Sequence, residues 1–289
     1  MYSYNLSKKP KNTTEIIIDI PKEDVAVEYK KSFAALLSDL TVEGFRKGKV
    51  PAEIGEKYLK KESVFSHLIQ SLVSKIYEEI VKKESLKPII QPKLELIKAK
   101  ENEDWQIKAT VAEKPVIDLS SYKKIVEKAK GTAKTAEIWT PGKEPAQTEE
   151  SKEKQKHAVL NAVLDGLLKE LVIEIPDMIL EVELENRLTQ LIDDVRKVGL
   201  STEAYLKSKN ITLDDLKKRY LKEIEDTYKL EFLLGDISEK EGIKVEKEDM
   251  EKLFASIRTE EERKQAEKNA YFYASIVRKQ KVLDYITSL

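Results

Sequence analysis

The residues Gly44-Phe45-Arg46-Lys47-Gly48-Lys49-Val50-Pro51 carry the most specific chemistry of this chain. One aromatic ring and three cations share this octapeptide with two glycines and a closing proline. Glycine reaches backbone angles that other residues avoid, and a proline with its fixed φ suits the first turn of a helix. The spacing therefore predicts an ordered loop tip between two helices. It presents Phe45 as an apolar anchor and Arg46, Lys47 and Lys49 as positive charge. A ring beside clustered cations suits a surface that is part protein and part phosphate.

Little else in the chain points to reaction chemistry. There are two histidines, His67 and His157. Neither stands at a metal spacing such as His-Glu-x-x-His, so no ligand or general-base role is expected of either. Acidic groups such as Asp193-Asp194, Asp214-Asp215 and Glu260–Glu262 fit solvated helix faces in a chain with 53 acidic residues. No phosphate-binding loop, dinucleotide fingerprint, nucleophile elbow or EF-hand pattern is present. The expectation is a chain that is not an enzyme and takes no cofactor and no metal.

Composition narrows the class further. At 289 residues the chain is long enough for two domains. With 36% charged and 40% apolar residues, and only nine glycines and nine prolines, it reads as helix-rich and soluble. A net charge of −1 gives no global field toward DNA or RNA. Any RNA contact must come from a local patch such as Arg46–Lys49. Cysteine is absent, which excludes disulfides and thiolate chemistry. The N-terminal residues lack the apolar core of a signal peptide, and no apolar run reaches the roughly 18 residues that span a membrane. A cytoplasmic protein is expected.

The elements that position the tip follow from periodicity. Thr14–Ile20 is β-branched and bounded by Asn12 and Pro21, which reads as a strand. Tyr2–Leu6 pairs with it across a turn at Lys8–Asn12. Helical spacing runs through Val25, Tyr29, Phe33, Leu36, Leu37 and Leu40, up to the tip. Pro51 opens a short helix with Ile54, Tyr58 and Leu59. A longer helix carries Phe65, Leu68, Ile69, Leu72, Val73, Ile76 and Ile80 and ends near Ser85, before Pro88. Leu94–Lys100 and Trp105–Val111 flank Glu101–Asp104 as a hairpin. The expected fold class is an α+β N-terminal domain, residues 1–113, followed by an all-α C-terminal domain, residues 157–289, with extended helical arms. Residues 114–156 are expected to be a linker, because Lys130–Lys156 is rich in Thr, Glu, Lys and Gln and nearly free of apolar side chains. In the second part, Ile175-Pro176-Asp177 starts a helix and Gly199 stops it. Another runs from Leu213 to the break at Glu241-Gly242-Ile243. A further helix spans Lys247–Ser256, and a last one spans Glu261–Ser288.

The octapeptide at 44–51 resembles the ribosome-binding signature of trigger factor, a bacterial chaperone family that works at the polypeptide exit tunnel. The element order of residues 1 to about 113, through the Gln91-Pro92 step, is similar to that family's ribosome-binding domain. The Ile173-Glu174-Ile175-Pro176 step and the Lys240–Val245 run resemble its C-terminal domain. The resemblance implies a ribosome-binding site at Gly44, Phe45, Arg46, Lys47, Gly48 and Lys49. It implies as partners the large ribosomal subunit beside the exit tunnel, both protein and rRNA, and unfolded or nascent polypeptides. It implies an ATP-independent chaperone with neither membrane nor DNA as partner. Most members of the family carry an FKBP-like prolyl isomerase domain between these parts. Here the segment between them is shorter than the roughly 50 residues a folded domain needs, so that domain is expected to be missing.

Twelve tyrosines stand out in a chain with few aromatics, and six of them lie in the C-terminal part. Most are expected to fill or rim helix cores. Tyr220, Tyr228, Phe232, Tyr271 and Tyr273 are the candidates for an open client-binding surface, since a phenol ring offers apolar contact and tolerates water. Spare apolar faces on helices either bind clients or pair in a homodimer off the ribosome. Other readings remain: a residual prolyl isomerase, a free helical holdase or scaffold, and a secreted chaperone similar to SurA.

Overall fold

The computed structural model describes residues 2–100, 102–135, 149–257 and 259–289. The chain divides into two compact units, residues 1–114 with 176–179, and 115–175 with 180–289.

The first unit is α+β. Strands β1 (Ser3–Lys9), β2 (Thr13–Ile20), β3 (Lys93–Lys98) and β4 (Trp105–Ala112) form an antiparallel sheet in the order β1-β2-β4-β3. Lys11 and Asn12 both take positive φ, which gives the β1–β2 hairpin the twist its strands need. Register pairs Ile20 with Trp105, Ile18 with Ile107 and Ile16 with Ala109. Alternation then sends all six to one face, where they are buried. Helices α1 (Lys22–Asp39), α2 (Ala52–Tyr58) and α3 (Lys61–Lys83) complete the unit, with α1 packed on α3. Leu68, Val73, Ile76 and Ile80 of α3 and Val25 of α1 close the core over the sheet. Asp104, far along the chain, accepts the Lys22 N–H at 2.8 Å and so satisfies the start of α1. Ser85, at φ 54°, ends α3 in a left-handed turn.

The second unit is all-helical among its described residues. It holds α4 (Tyr122–Thr135), α5 (Glu149–Glu170), α6 (Asp177–Lys197) from Leu180 onward, α7 (Thr202–Lys209), α8 (Leu213–Lys240), α9 (Lys247–Ser256), α10 (Glu260–Lys268) and α11 (Ala270–Ser288). The expected α+β and all-α classes are both found. Within the segment expected to be a linker, Tyr122–Thr135 is instead a helix packed on α5. Tyr122, Ile125 and Val126 are buried there. Their three-to-four spacing makes an apolar stripe that the polar composition from residue 130 onward conceals. Residues 149–156 of that segment are helical too, as the start of α5, and residues 136–148 lie outside the described residues. The expected single helix over 261–288 is two helices, because Asn269 leaves helical geometry at φ −103°, ψ 28° and serves as the end of one and the start of the next. Helix α7 adds an element that periodicity does not predict. Ser201 caps it by accepting from the Ala204 N–H at 3.1 Å, and Asn210 ends it at φ 52°.

One carboxylate ties three helices of this unit. Glu241, just past α8, accepts hydrogen bonds from the phenols of Tyr122 on α4 and Tyr285 on α11, and pairs with Lys123 at 3.0 Å. These donors, Tyr122 foremost, pull its pKa from 4.5 down to about 2. Because the folded pKa is the lower one, the stabilisation is fully present above about 4.5 and is lost as pH falls toward 2. Glu241→Gln is therefore expected to lower the melting temperature at pH 7, with the gap to the unmodified chain narrowing at pH 3. Melting curves at both pH values check this; an equal gap at both would contradict it.

Candidate functional site

The octapeptide folds as two successive tight turns. The Phe45 N–H donates to the Val42 carbonyl at 3.0 Å, and the Lys49 N–H donates to the Arg46 carbonyl at 2.9 Å. Gly44 and Gly48 each occupy the third position of their turn, with φ 87° and 76°. That is the place where a type II turn needs positive φ. The two-glycine spacing thus has a structural cause. The turns stand on buried feet, Val42 and Val50. A Cβ at Gly48 would meet the Ser38 carbonyl at 3.3 Å, so the second turn lies directly against the end of α1. Helix α2 is seated as closely, since Gly55 is buried against Leu37 and Phe33 of α1.

The tip therefore has a fixed base and exposed side chains. Phe45 is 38% exposed, and Arg46, Lys47 and Lys49 are exposed. Lys47 forms an ion pair with Asp39 at 3.0 Å. Among the described residues Arg46 and Lys49 form no ion pair. Tyr58, at the end of α2, is 61% exposed, and its sequence context alone does not single it out.

The five candidate aromatics of the second unit separate into two groups. Tyr220 lies under the Arg187 guanidinium, 4.8 Å from ring centre to Cζ. Tyr228 donates to Glu183 at 2.9 Å and stacks 6.0 Å from Phe232. Burial and that carboxylate push the Tyr228 phenol up to about 12. These three side chains are half-buried and engaged within the unit. Tyr271 is 92% exposed at the start of α11, and Tyr273 is half-buried. Tyr273 meets Phe254 of α9 and Phe272 edge-on, at 6.4 and 5.6 Å. A cavity of about 600 Å³ opens beside Tyr271, lined by Gly242, Ile243, Val245, Ala274 and Arg278. Phe272, 60% exposed, is not among the expected aromatics; the run Tyr271-Phe272-Tyr273 is the sequence signal that points to it.

His67 is half-buried on α3 and His157 is exposed on α5. No cluster of three or more metal-ligating side chains occurs among the described residues. None of the described helices is long and apolar enough to cross a membrane.

Two family models, for the bacterial trigger factor protein and for its C-terminus, match residues 2–140 and 144–288. The chain belongs to the trigger factor family. The octapeptide falls in the first match and the Tyr271–Tyr273 run in the second, with only residues 141–143 between them. A trigger factor from Lactococcus lactis subsp. lactis is 27% identical over 135 residues, 47% of this chain and 31% of the relative. One from Pelotomaculum thermopropionicum is 31% identical over 121 residues, 42% of this chain and 28% of the relative. These alignments thus span less than a third of the relatives' length. A solved structure from work on promiscuous substrate recognition in the folding and assembly activities of the trigger factor chaperone superposes with a TM-score of 0.65. It covers 99% of both chains at 14% identity and supports the shared fold.

Proposed function

We propose that this chain is an ATP-independent, ribosome-associated chaperone of the cytoplasm, acting without isomerase chemistry. The observation that carries the reading is the tip at 44–49, an exposed ring and exposed cations on a base of two hydrogen-bonded turns. In this account Phe45 enters an apolar contact at the large subunit beside the exit tunnel. Arg46, Lys47 and Lys49 meet rRNA phosphates or acidic ribosomal side chains, and Gly44 and Gly48 hold the turns. Residues 1–113 carry the anchor and residues 157–289 the client surface. Helix α4, inside the segment 114–156, packs on α5 and belongs with this second part.

Client binding is assigned first to the open group at Tyr271, Phe272 and Tyr273. Exposed apolar rings offer weak, sequence-tolerant contact to unfolded segments. Tyr220, Tyr228 and Phe232 would have to leave internal partners to take part. Weak contacts suffice at the ribosome, because tethering beside the exit tunnel raises the local concentration of nascent chain. No nucleotide is needed, since binding and release follow affinity alone.

The test away from the ribosome is aggregation of a chemically denatured client on dilution. The unmodified chain suppresses it. Tyr271→Ser/Phe272→Ser is expected to need about tenfold more protein for the same suppression, the loss of two aromatic anchors of ordinary strength. Equal suppression by the variant would remove these rings from the client surface.

A further inference from the structure

Helix α1 ends on an acid, Asp39, and carries no basic residue in its last turn. The end of a helix already bears partial negative charge from its unpaired carbonyls, so a carboxylate there is unfavourable unless a cation stands nearby. The tip supplies that cation. Lys47 Nζ lies 3.0 Å from Asp39 Oδ1, with the two side chains 63% and 78% exposed. The close seat of Gly48 on Ser38 holds the second turn over the helix end, so the pairing does not depend on a wandering loop. Arg46 and Lys49, on either side of Lys47 and Gly48, pair with no carboxylate among the described residues.

We infer that Asp39 is an intramolecular competitor for Lys47, occupying its ammonium in the free chain and yielding it when the tip meets an anionic partner. The inference rests on the reading of the tip as a ribosome anchor. It assigns unequal work to the three cations. Arg46 and Lys49 are presented ready for a phosphate or carboxylate, and Lys47 must first give up its own helix end. The tip then binds more weakly than its charge allows, which suits an anchor that has to release. Because the pair is exposed, the competition is modest, about two- to fivefold in affinity.

The experiment is a double-mutant cycle on the full chain, read as affinity for purified large ribosomal subunits at fixed low salt. It compares the unmodified chain, Asp39→Asn, Lys47→Ala and the combination. Glu43→Gln serves as a charge control, since Glu43 is exposed, adjoins Gly44 and forms no ion pair among the described residues. Asp39→Asn is expected to bind about two- to fivefold tighter, with the gain disappearing in the Lys47→Ala background. Glu43→Gln is expected to change affinity by the same factor in both backgrounds. If Asp39→Asn changes nothing, or if its gain persists without Lys47, the inference is overturned and only net charge matters. Arg46→Ala separates this from failure of the anchor reading. A loss of binding in Arg46→Ala beside an inert Asp39→Asn sinks the competitor alone. If Arg46→Ala binds like the unmodified chain, or if neither binds, both fall together.

Discussion

Arg46→Glu/Lys47→Glu is expected to weaken binding to large ribosomal subunits by at least about a hundredfold while leaving the melting curve within a degree or two of the unmodified chain. Each reversal replaces an attraction to phosphate with a repulsion, and like charges brought together across an interface cost several kcal/mol. The effect therefore exceeds that of deleting the same charges. The fold is spared because both side chains are exposed. Within the chain the substitutions break the Lys47–Asp39 ion pair, and an exposed pair contributes less than about 1 kcal/mol. The hydrogen bonds that shape the two turns join main-chain atoms, and the positive φ angles belong to Gly44 and Gly48, all of which the substitutions leave in place. Co-sedimentation with purified subunits and a thermal melt check the two halves. Unchanged binding would reduce the octapeptide to a basic turn.

Trp105→Ala is expected to cost the first unit about 3–5 kcal/mol, the range for removing a large aromatic from a packed core. Trp105 is 1% exposed, stacks on Phe65 at 5.9 Å and donates from its indole N–H to the Lys100 carbonyl at 3.1 Å. It also stands opposite Ile20 in the β2–β4 register, so its loss opens the sheet end nearest the start of α1. Replacement leaves a void against Phe65 and an unpaired carbonyl. Amide hydrogen exchange reads the outcome by region. Amides of β2 and β4 are expected to exchange about a hundredfold faster or more, at about 1.4 kcal/mol per factor of ten. Amides of α8 and α11, in the other unit, keep their rates. Equal acceleration in both units would show a single cooperative core in place of two.

Much of this fold is legible because its signals are local. The alternation Thr14, Ile16, Ile18, Ile20 marks β2, and the three-to-four spacing from Phe65 to Ile80 marks α3. Helix α9 falls on the expected Lys247–Ser256, between a Gly242 break and a stretch of polar residues. What escapes has equally definite causes. Helix α7 has only eight residues, too few for a periodic stripe, and only its caps at Ser201 and Asn210 announce it. Helix α4 hides its stripe at Tyr122, Ile125 and Val126 just ahead of a polar run. The division at Asn269 lacks the proline or glycine that punctuates other breaks. At the tip, residue types and the two-turn spacing can be read directly. The Asp39–Lys47 pair cannot, since it joins residues across a fold whose closeness depends on how Gly48 sits on α1. For the aromatics, sequence supplies the residue types, but exposure separates Tyr271 from Tyr220 and Tyr228, and exposure is a property of packing.

The most direct measurement is the affinity of the unmodified chain for purified large ribosomal subunits across a salt series, beside Phe45→Ala/Arg46→Ala/Lys47→Ala. Saturable binding is expected, the logarithm of its affinity falling linearly with the logarithm of salt, with a slope of about two to three for the few phosphates that three cations can meet. The triple variant is expected to show no specific binding at any salt. Saturable binding that ignores salt would contradict the phosphate contacts. Binding that the triple variant retains, or no binding by the unmodified chain even at low salt, would contradict the anchor itself.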